Sequence, residues 1–305
     1  MSVFLRNLLL FSIVFVVLTG GMVAYYVRDM RSVKFSTMGG RHILVIGDSH
    51  TECAIDDDVF TRCVNLSKSA SAYVFSFAVI RKWKADNPEL DTVLLSYEHK
   101  SLSDEQQTGW MYDESILAQR LPYVLPYFNG GDYWNYKFSS PFYKTLFQYP
   151  FTVRGFHEAD TLENRYTWQN EKIGMARALT YTKLKEDVAA TKPLEKGTPP
   201  EKLSEMSIEY IRKIADYCKR KNITLILINT PVYQWEKYVD HEQFETNRKK
   251  YFGDILYLDY KDFPLPDSCR ADIWHLNAEG QRQFSEYLQK NLTEDIRKQN
   301  PSTAP

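Results

Sequence analysis

The sequence predicts an α/β protein built on a parallel five-stranded sheet, with an N-terminal transmembrane helix and an aromatic-rich insertion in its middle. Three observations predict it. Short runs that are apolar throughout (HILVI, CVNL, TVLLS, ITLILIN, ILYLD) alternate with helix-patterned segments, which is how a sheet covered on both faces reads. Asn7 to Val27 carries no charge. Trp110 to Phe156 is crowded with Tyr, Phe, Trp and Pro.

In order along the chain, Asn7–Val27 has the length and composition that a membrane-crossing helix needs. A buried core helix would show a polar face, and no clean small-x-small cleavage site precedes Tyr25, so an uncleaved signal anchor is expected over a cleaved signal. Residues 1–40 are then anchor and linker, residues 41–296 the folded domain with its insertion at about 101–202, and 297–305 a flexible tail. Arg6 alone precedes the span while Arg28, Arg31 and Lys34 follow it. The positive-inside rule would therefore keep the domain in the cytosol. The chemistry below argues for the extracytoplasmic side, and that placement is the expectation.

His42–Ile46 is the first strand, Thr51–Asp58 a short helix, Cys63–Leu66 the second strand and Ala72–Ala85 a helix closed by Asn87-Pro88. Thr92–Ser96 is the third strand. After the insertion come a helix at Lys202–Arg220, a fourth strand at Ile223–Asn229, a fifth at Ile255–Asp259 and a last helix at Ala278–Asn291. The insertion suits a lid, a substrate platform, a partner surface or plain packing. No internal repeat is present, and Gly130-Gly131 lacks the context of a phosphate loop.

Hydrophobic residues make up 44% and charged residues 25%, enough apolar content for a true core. Lys and Arg number 38 against 39 for Asp and Glu, so no net field draws nucleic acid, and no basic run with interleaved aromatics appears. Cys53, Cys63, Cys218 and Cys269 have no metal-ligand spacing and read as buried thiols. The sequons at Asn65 and Asn222 border strands and read as chance.

The chemistry lies at two points. Gly47-Asp48-Ser49 ends the first strand and starts a helix, the edge of a parallel sheet where ligands bind. There Ser49 is either a helix cap or a nucleophile lying near the positive helix end. A nucleophile needs a base and something to orient that base. Asp272 and His275, three residues apart in ADIWHLNAEG after the fifth strand, supply both, the carboxylate fixing the imidazole tautomer. Taken singly, Asp272 could cap the last helix and His275 lie on the surface. His50 reads as a solvated first-turn histidine.

These blocks resemble the SGNH, or GDSL-like, hydrolases: GDS at 47–49, DxxHLN at 272–277, and Asn65-Leu66-Ser67-Lys68-Ser69-Ala70 for the N-x-S-x-S-G stretch of some members. The resemblance spans about 40–100 and 203–295, leaving the anchor and insertion outside it. It implies a flavodoxin-like three-layer α/β/α fold and acyl transfer through an acyl-serine with Ser49 as nucleophile, His275 as base and Asp272 as orienter, and no cofactor or metal. It also implies an oxyanion hole from the Ser49 and Ala70 N–H groups. The sequence departs from the family twice. Ala70 replaces a glycine, harmless only if no positive φ is needed. The third block lacks its asparagine and ends Ser96-Tyr97-Glu98-His99-Lys100, where His99, Lys100 or a donor brought by the insertion would replace it. The anchor and aromatic insertion resemble envelope proteins that move or remove acetyl groups on polysaccharides, some beside a multi-pass membrane acyltransferase. Tyr133 and Trp134 are the candidate glycan-stacking residues. A lipase or thioesterase, and a non-catalytic glycan-binding scaffold, are the alternatives.

Overall fold

The computed structural model describes residues 3–32, 39–157, 177–195 and 202–299. Most of the predicted linker, the insertion residues 158–176 and 196–201, and the tail beyond 299 lie outside the described residues. In chain order the elements are α1 (Val3–Ser32), β1 (Ile43–Ile46), α2 (Ser49–Ala54), β2 (Cys63–Asn65), α3 (Tyr73–Asp86), β3 (Thr92–Ser96) and α4 (Asp104–Tyr112). Then follow α5 (Glu114–Val124), α6 (Gly130–Trp134), α7 (Ser140–His157), α8 (Leu184–Ala190) and α9 (Glu205–Arg220). Last come β4 (Thr224–Asn229), α10 (Trp235–Tyr238), α11 (His241–Phe252), β5 (Leu256–Asp259) and α12 (Ala278–Gln299).

Contacts divide the chain into two units, one holding α1 with residues 112–157, the other holding the remaining described residues. The second unit carries the predicted sheet, parallel throughout, in the order β2-β1-β3-β4-β5. That is the flavodoxin-like order, with the reversal beside β1. Ile43, Leu44, Val45 and Ile46 are all buried because β1 pairs on both sides and is covered on both faces. Helices α3 and α9 pack on each other, while α12 packs on α2 and β5.

Helix α9 shows how sequence sets these elements. Ser204 caps it by accepting from Ser207 N–H. Tyr210, Ile211, Ile214 and Cys218 recur on one face and are buried. Asn222, at φ 53°, then takes the left-handed conformation that ends the helix. The four cysteines are buried free thiols, as read from their spacing.

The unit with α1 has its own aromatic core. Tyr136 stacks on Phe142 at 4.6 Å and on Phe128 at 5.9 Å between ring centroids. Asn129 and Asp132 accept from each other's backbone N–H groups, so Gly130-Gly131 is simply the first turn of α6. α1 is long and apolar enough to cross a membrane. It touches α7 and the turn Leu125–Tyr127, so α1 and residues 112–157 of the insertion share one unit.

Candidate active site

The turn from β1 to α2 corrects the expected helix at Thr51–Asp58. The helix begins at Ser49 itself, and its cap is Asp48, whose Oδ1 accepts from His50 N–H at 3.0 Å. Ser96 Oγ donates to the same oxygen at 3.0 Å. With capping assigned to Asp48, the Ser49 hydroxyl is left for another partner. A β-carbon on Gly47 would lie 2.1 Å from Ser96 Cβ, so only glycine lets the end of β1 come this close to β3.

The second half of the site is a closed turn. Ala271 N–H donates to His275 O at 3.0 Å, and Arg270 bridges Leu276 in antiparallel fashion. Inside it, Asp272 Oδ1 accepts from Trp274 N–H and His275 N–H, both at 2.8 Å. Both carboxylate oxygens also lie 3.0 Å from His275 Nδ1. The helix cap is Asn277, whose Oδ1 accepts from Glu279 and Gly280 N–H at 3.1 and 3.2 Å. Asp272 therefore serves the imidazole rather than α12. Gly280 is required as well, since a β-carbon there would meet Cys269 O at 2.1 Å.

The two halves meet. His275 Nε2 is 2.9 Å from Ser49 Oγ, within reach for proton transfer. Burial alone would raise the Asp272 carboxyl, but the hydrogen bonds from His275 and the turn's N–H groups hold it below the usual carboxylate range. An ionised Asp272 accepts Nδ1–H and leaves Nε2 as the acceptor for the serine proton.

Beside the end of β1 runs the 66–70 loop. It is fixed from below by Leu66 N–H to Val45 O (2.8 Å) and Lys68 N–H to Gly47 O (3.0 Å). From α2, buried Glu52 accepts from Ser69 N–H at 2.7 Å and from the Ser69 hydroxyl. Ala70 sits at φ 56°. The condition under which alanine would replace glycine freely thus fails, and the loop carries an L-residue in the left-handed region. Among the described residues, neither Ser49 N–H nor Ala70 N–H has a hydrogen-bond partner, as an oxyanion hole requires. Asn65 is no sugar acceptor: fully buried, it donates to Thr51 O and Ile55 O and accepts from Ser67 N–H.

Where the resemblance expects an asparagine, the structure places a buried cluster of titratable side chains. Glu98 is 1% exposed. Its Oε2 accepts from Lys100 N–H at 2.8 Å and lies 2.6 Å from His99 Nδ1 and 3.8 Å from His50 Nε2. His50 is buried, not solvated, with its ring 5.2 Å from that of His275. Glu98 and the His99 ring cover it. Burial holds the His50 pKa down, against the pull of Glu98 and Asp48, and pushes the Glu98 carboxyl up. His99 stacks on Trp274 at 4.2 Å. The donor atoms of His50, Glu98 and His99 lie within 4.8 Å of one another, a set that zinc uses elsewhere. Lys100 N–H donates to Glu98 Oε2 and His99 Nδ1 lies beside that oxygen, while among the described residues Glu98 Oε1 and His50 Nδ1 are buried without a hydrogen-bond partner.

Residues 177–191, read from sequence as the end of the insertion, belong to this unit and brace the site. Arg177 N–H donates to Glu52 O at 2.9 Å, Lys183 N–H to Ala271 O at 2.6 Å, and Ile273 N–H to Asp187 Oδ2 at 3.0 Å. A cleft of about 290 Å³ opens beside His99 and Trp274, over Leu102, Leu203 and Phe244. The glycan-stacking candidates lie in the other unit. Tyr133 is half-buried, its hydroxyl donating to Leu125 O at 2.9 Å, and Trp134 is exposed with Lys137 Nζ 4.0 Å above its ring.

No protein-family model and no curated protein matches the chain. Among solved structures it is similar to a provisionally named acylhydrolase from Bacteroides fragilis NCTC 9343, at 12% identity and TM-score 0.38, over 89% of this chain and 96% of that one. It is also similar to a GDSL-like lipase from Bacteroides thetaiotaomicron VPI-5482, at 12% identity and TM-score 0.35, over 90% of this chain and 97% of that one. At such identities and scores the similarities carry no argument about activity. The chemistry rests on the geometry of Ser49, His275 and Asp272.

Proposed function

We propose that the protein is a serine esterase or acyltransferase of SGNH type. It is anchored by α1 and acts on O-acyl groups of envelope glycan, from the extracytoplasmic side. The observation that carries this reading is the Ser49 Oγ to His275 Nε2 contact at 2.9 Å with Asp272 on the far nitrogen. Ser49 attacks the acyl carbonyl as His275 takes its proton. The oxyanion rests on the two free N–H groups. His275 then protonates the departing alkoxide, leaving acyl-Ser49, which water or a sugar hydroxyl resolves. The step needs no metal or organic cofactor. An acyltransferring role would pair the protein with a multi-pass membrane acyltransferase as its acyl source.

The apolar floor of the cleft beside Trp274 favours a second reading, a lipase or thioesterase that seats an acyl chain there. A fluorophosphonate probe tests the shared chemistry. It should label Ser49 in the parent, and Ser49→Ala and His275→Ala should abolish turnover to about the same level, because the members act as a unit. Absence of labelling at high probe concentration would leave the non-catalytic scaffold. Comparing an acetylated glycan with medium-chain esters separates the two enzyme readings.

A further inference from the structure

The uncharged stretch Asn7–Val27 of α1 is about 31 Å long at about 1.5 Å per residue, matching a hydrocarbon core of about 30 Å. Arg28 and Arg31 therefore fall at headgroup level on the side where the chain continues. Arg31 is not free to snorkel: its guanidinium donates to Pro126 O and, at 3.4 Å, to Phe128 O. Thr19, Val23 and Val27, spaced four apart, are half-buried while most of α1 is exposed. α1 packs on α7 and on the 125–127 turn. With α1 as a membrane span, these contacts would hold the aromatic unit at the membrane surface.

This unit exposes rings that water does not suit. Phe138 is 90% exposed, and Trp134, Phe147 and Tyr143 are exposed with it. Lys137 reaches over both Trp134 (4.0 Å) and Phe138 (5.3 Å). Exposed Trp, Tyr and Phe with an interleaved lysine is the composition of an interfacial membrane face. Phe138 and Phe147 have no polar handle and gain chiefly by leaving water.

We propose that Trp134, Phe138, Tyr143 and Phe147 form a lipid-docking face. It sinks into the headgroup and upper acyl region of the leaflet from which α1 emerges, with Lys137 placed among the lipid phosphates. This rests on reading α1 as a membrane span. The insertion then acts as a second membrane contact that fixes the anchor's tilt and the height of the unit it belongs to.

The test uses the full-length protein in nanodiscs of phosphatidylcholine and phosphatidylglycerol. Phe138→Cys and Phe147→Cys are labelled with an environment-sensitive fluorophore, and Lys219→Cys, at an exposed position of α9, serves as the aqueous control. The native thiols are buried, with Cys53 and Cys218 pushed up to about 12, so they do not compete for label. Lipid carrying a spin label high on its chain should quench positions 138 and 147 about threefold or more strongly than 219, since an interfacial face sits about 5–10 Å below the headgroups. Equal quenching at all three sites, with equal access to aqueous iodide, would overturn the proposal. So would shielding from iodide without lipid quenching, which would mean that protein or glycan covers the face. Alkaline carbonate extraction is read alongside. A protein released by carbonate defeats the anchor and this proposal together, whereas one retained with unquenched labels defeats this proposal alone.

Discussion

Replacing Asp272 by Asn separates the catalytic role of this carboxylate from its structural one. Asp272 Oδ1 accepts from Trp274 and His275 N–H at 2.8 Å each, and the carboxylate lies 3.0 Å from His275 Nδ1. An asparagine keeps one acceptor oxygen. Leaving that oxygen on the two turn N–H groups preserves the loop but turns the amide NH2 toward His275 Nδ1. The imidazole must then accept at Nδ1 and carry its proton on Nε2, against Ser49 Oγ. Flipping the amide restores the tautomer only by setting its NH2 against the turn's donors, at about 1–3 kcal/mol for groups left unsatisfied. The inactive tautomer therefore dominates. The expected loss in kcat is about 10⁴-fold, roughly 5 kcal/mol of transition-state stabilisation. Melting should move by no more than about 2–4 °C, the equivalent of about 1 kcal/mol. Asp272→Ala should lose similar activity and melt lower still, because it removes both turn acceptors. Hydrolysis of p-nitrophenyl acetate and a thermal melt on the same purified samples measure both. An Asp272→Asn enzyme retaining more than about a tenth of parental kcat, when about 10⁴-fold is expected, would refute the assignment of His275 as the base oriented by Asp272.

Two further outcomes follow from the geometry. Ala70→Gly should relieve about 1–2 kcal/mol of left-handed strain, offset by about 0.4–1 kcal/mol of added unfolded-state freedom. A thermal melt should show a modest rise with turnover unchanged, since the N–H remains, and a lower melting point would show that the loop is unstrained. Asp57 is fully buried, and burial pushes its carboxyl up to about 7 despite hydrogen bonding from Asn65 N–H and the nearby Arg41. From about pH 4, where the unfolded carboxyl ionises, up to about 7, the folded state holds a proton that the unfolded state has lost. Stability contributed by this group is whole below that window and falls as pH rises through it, by up to about 4 kcal/mol. Asp57→Asn, which cannot ionise, should melt close to the parent at about pH 4, the foot of the window, and above it at pH 8 (about one unit beyond the window). Parallel pH profiles would sink the reasoning.

The apolar runs alone determined where the strands lie, because a strand covered on both faces can hold little else, and each of the five sits within one residue of its expected bounds. ADIWHLNAEG likewise carried its own turn. Asp272 bonds to residues two and three positions on, Asn277 caps the next helix, and Gly280 admits Cys269 O. Interactions that short in sequence are legible as spacing. Only tertiary structure decided what bears on Ser49 from a distance. Asp48 rather than Ser49 caps α2, and buried Asp48 is fixed by Ser96 from another strand. Whether a first-turn histidine meets water depends on what covers it, and the chain brings Glu98 and His99 over His50. The strain at Ala70 comes from a loop held by Glu52 and Gly47 O, not from Ala70's own preference. The insertion's fate was hidden for the same reason. Its aromatic content fitted a platform, a lid or a core equally well, and contacts with α1 made across about a hundred positions divided it. One part joined α1, and residues 177–191 went to bracing the loop that carries His275.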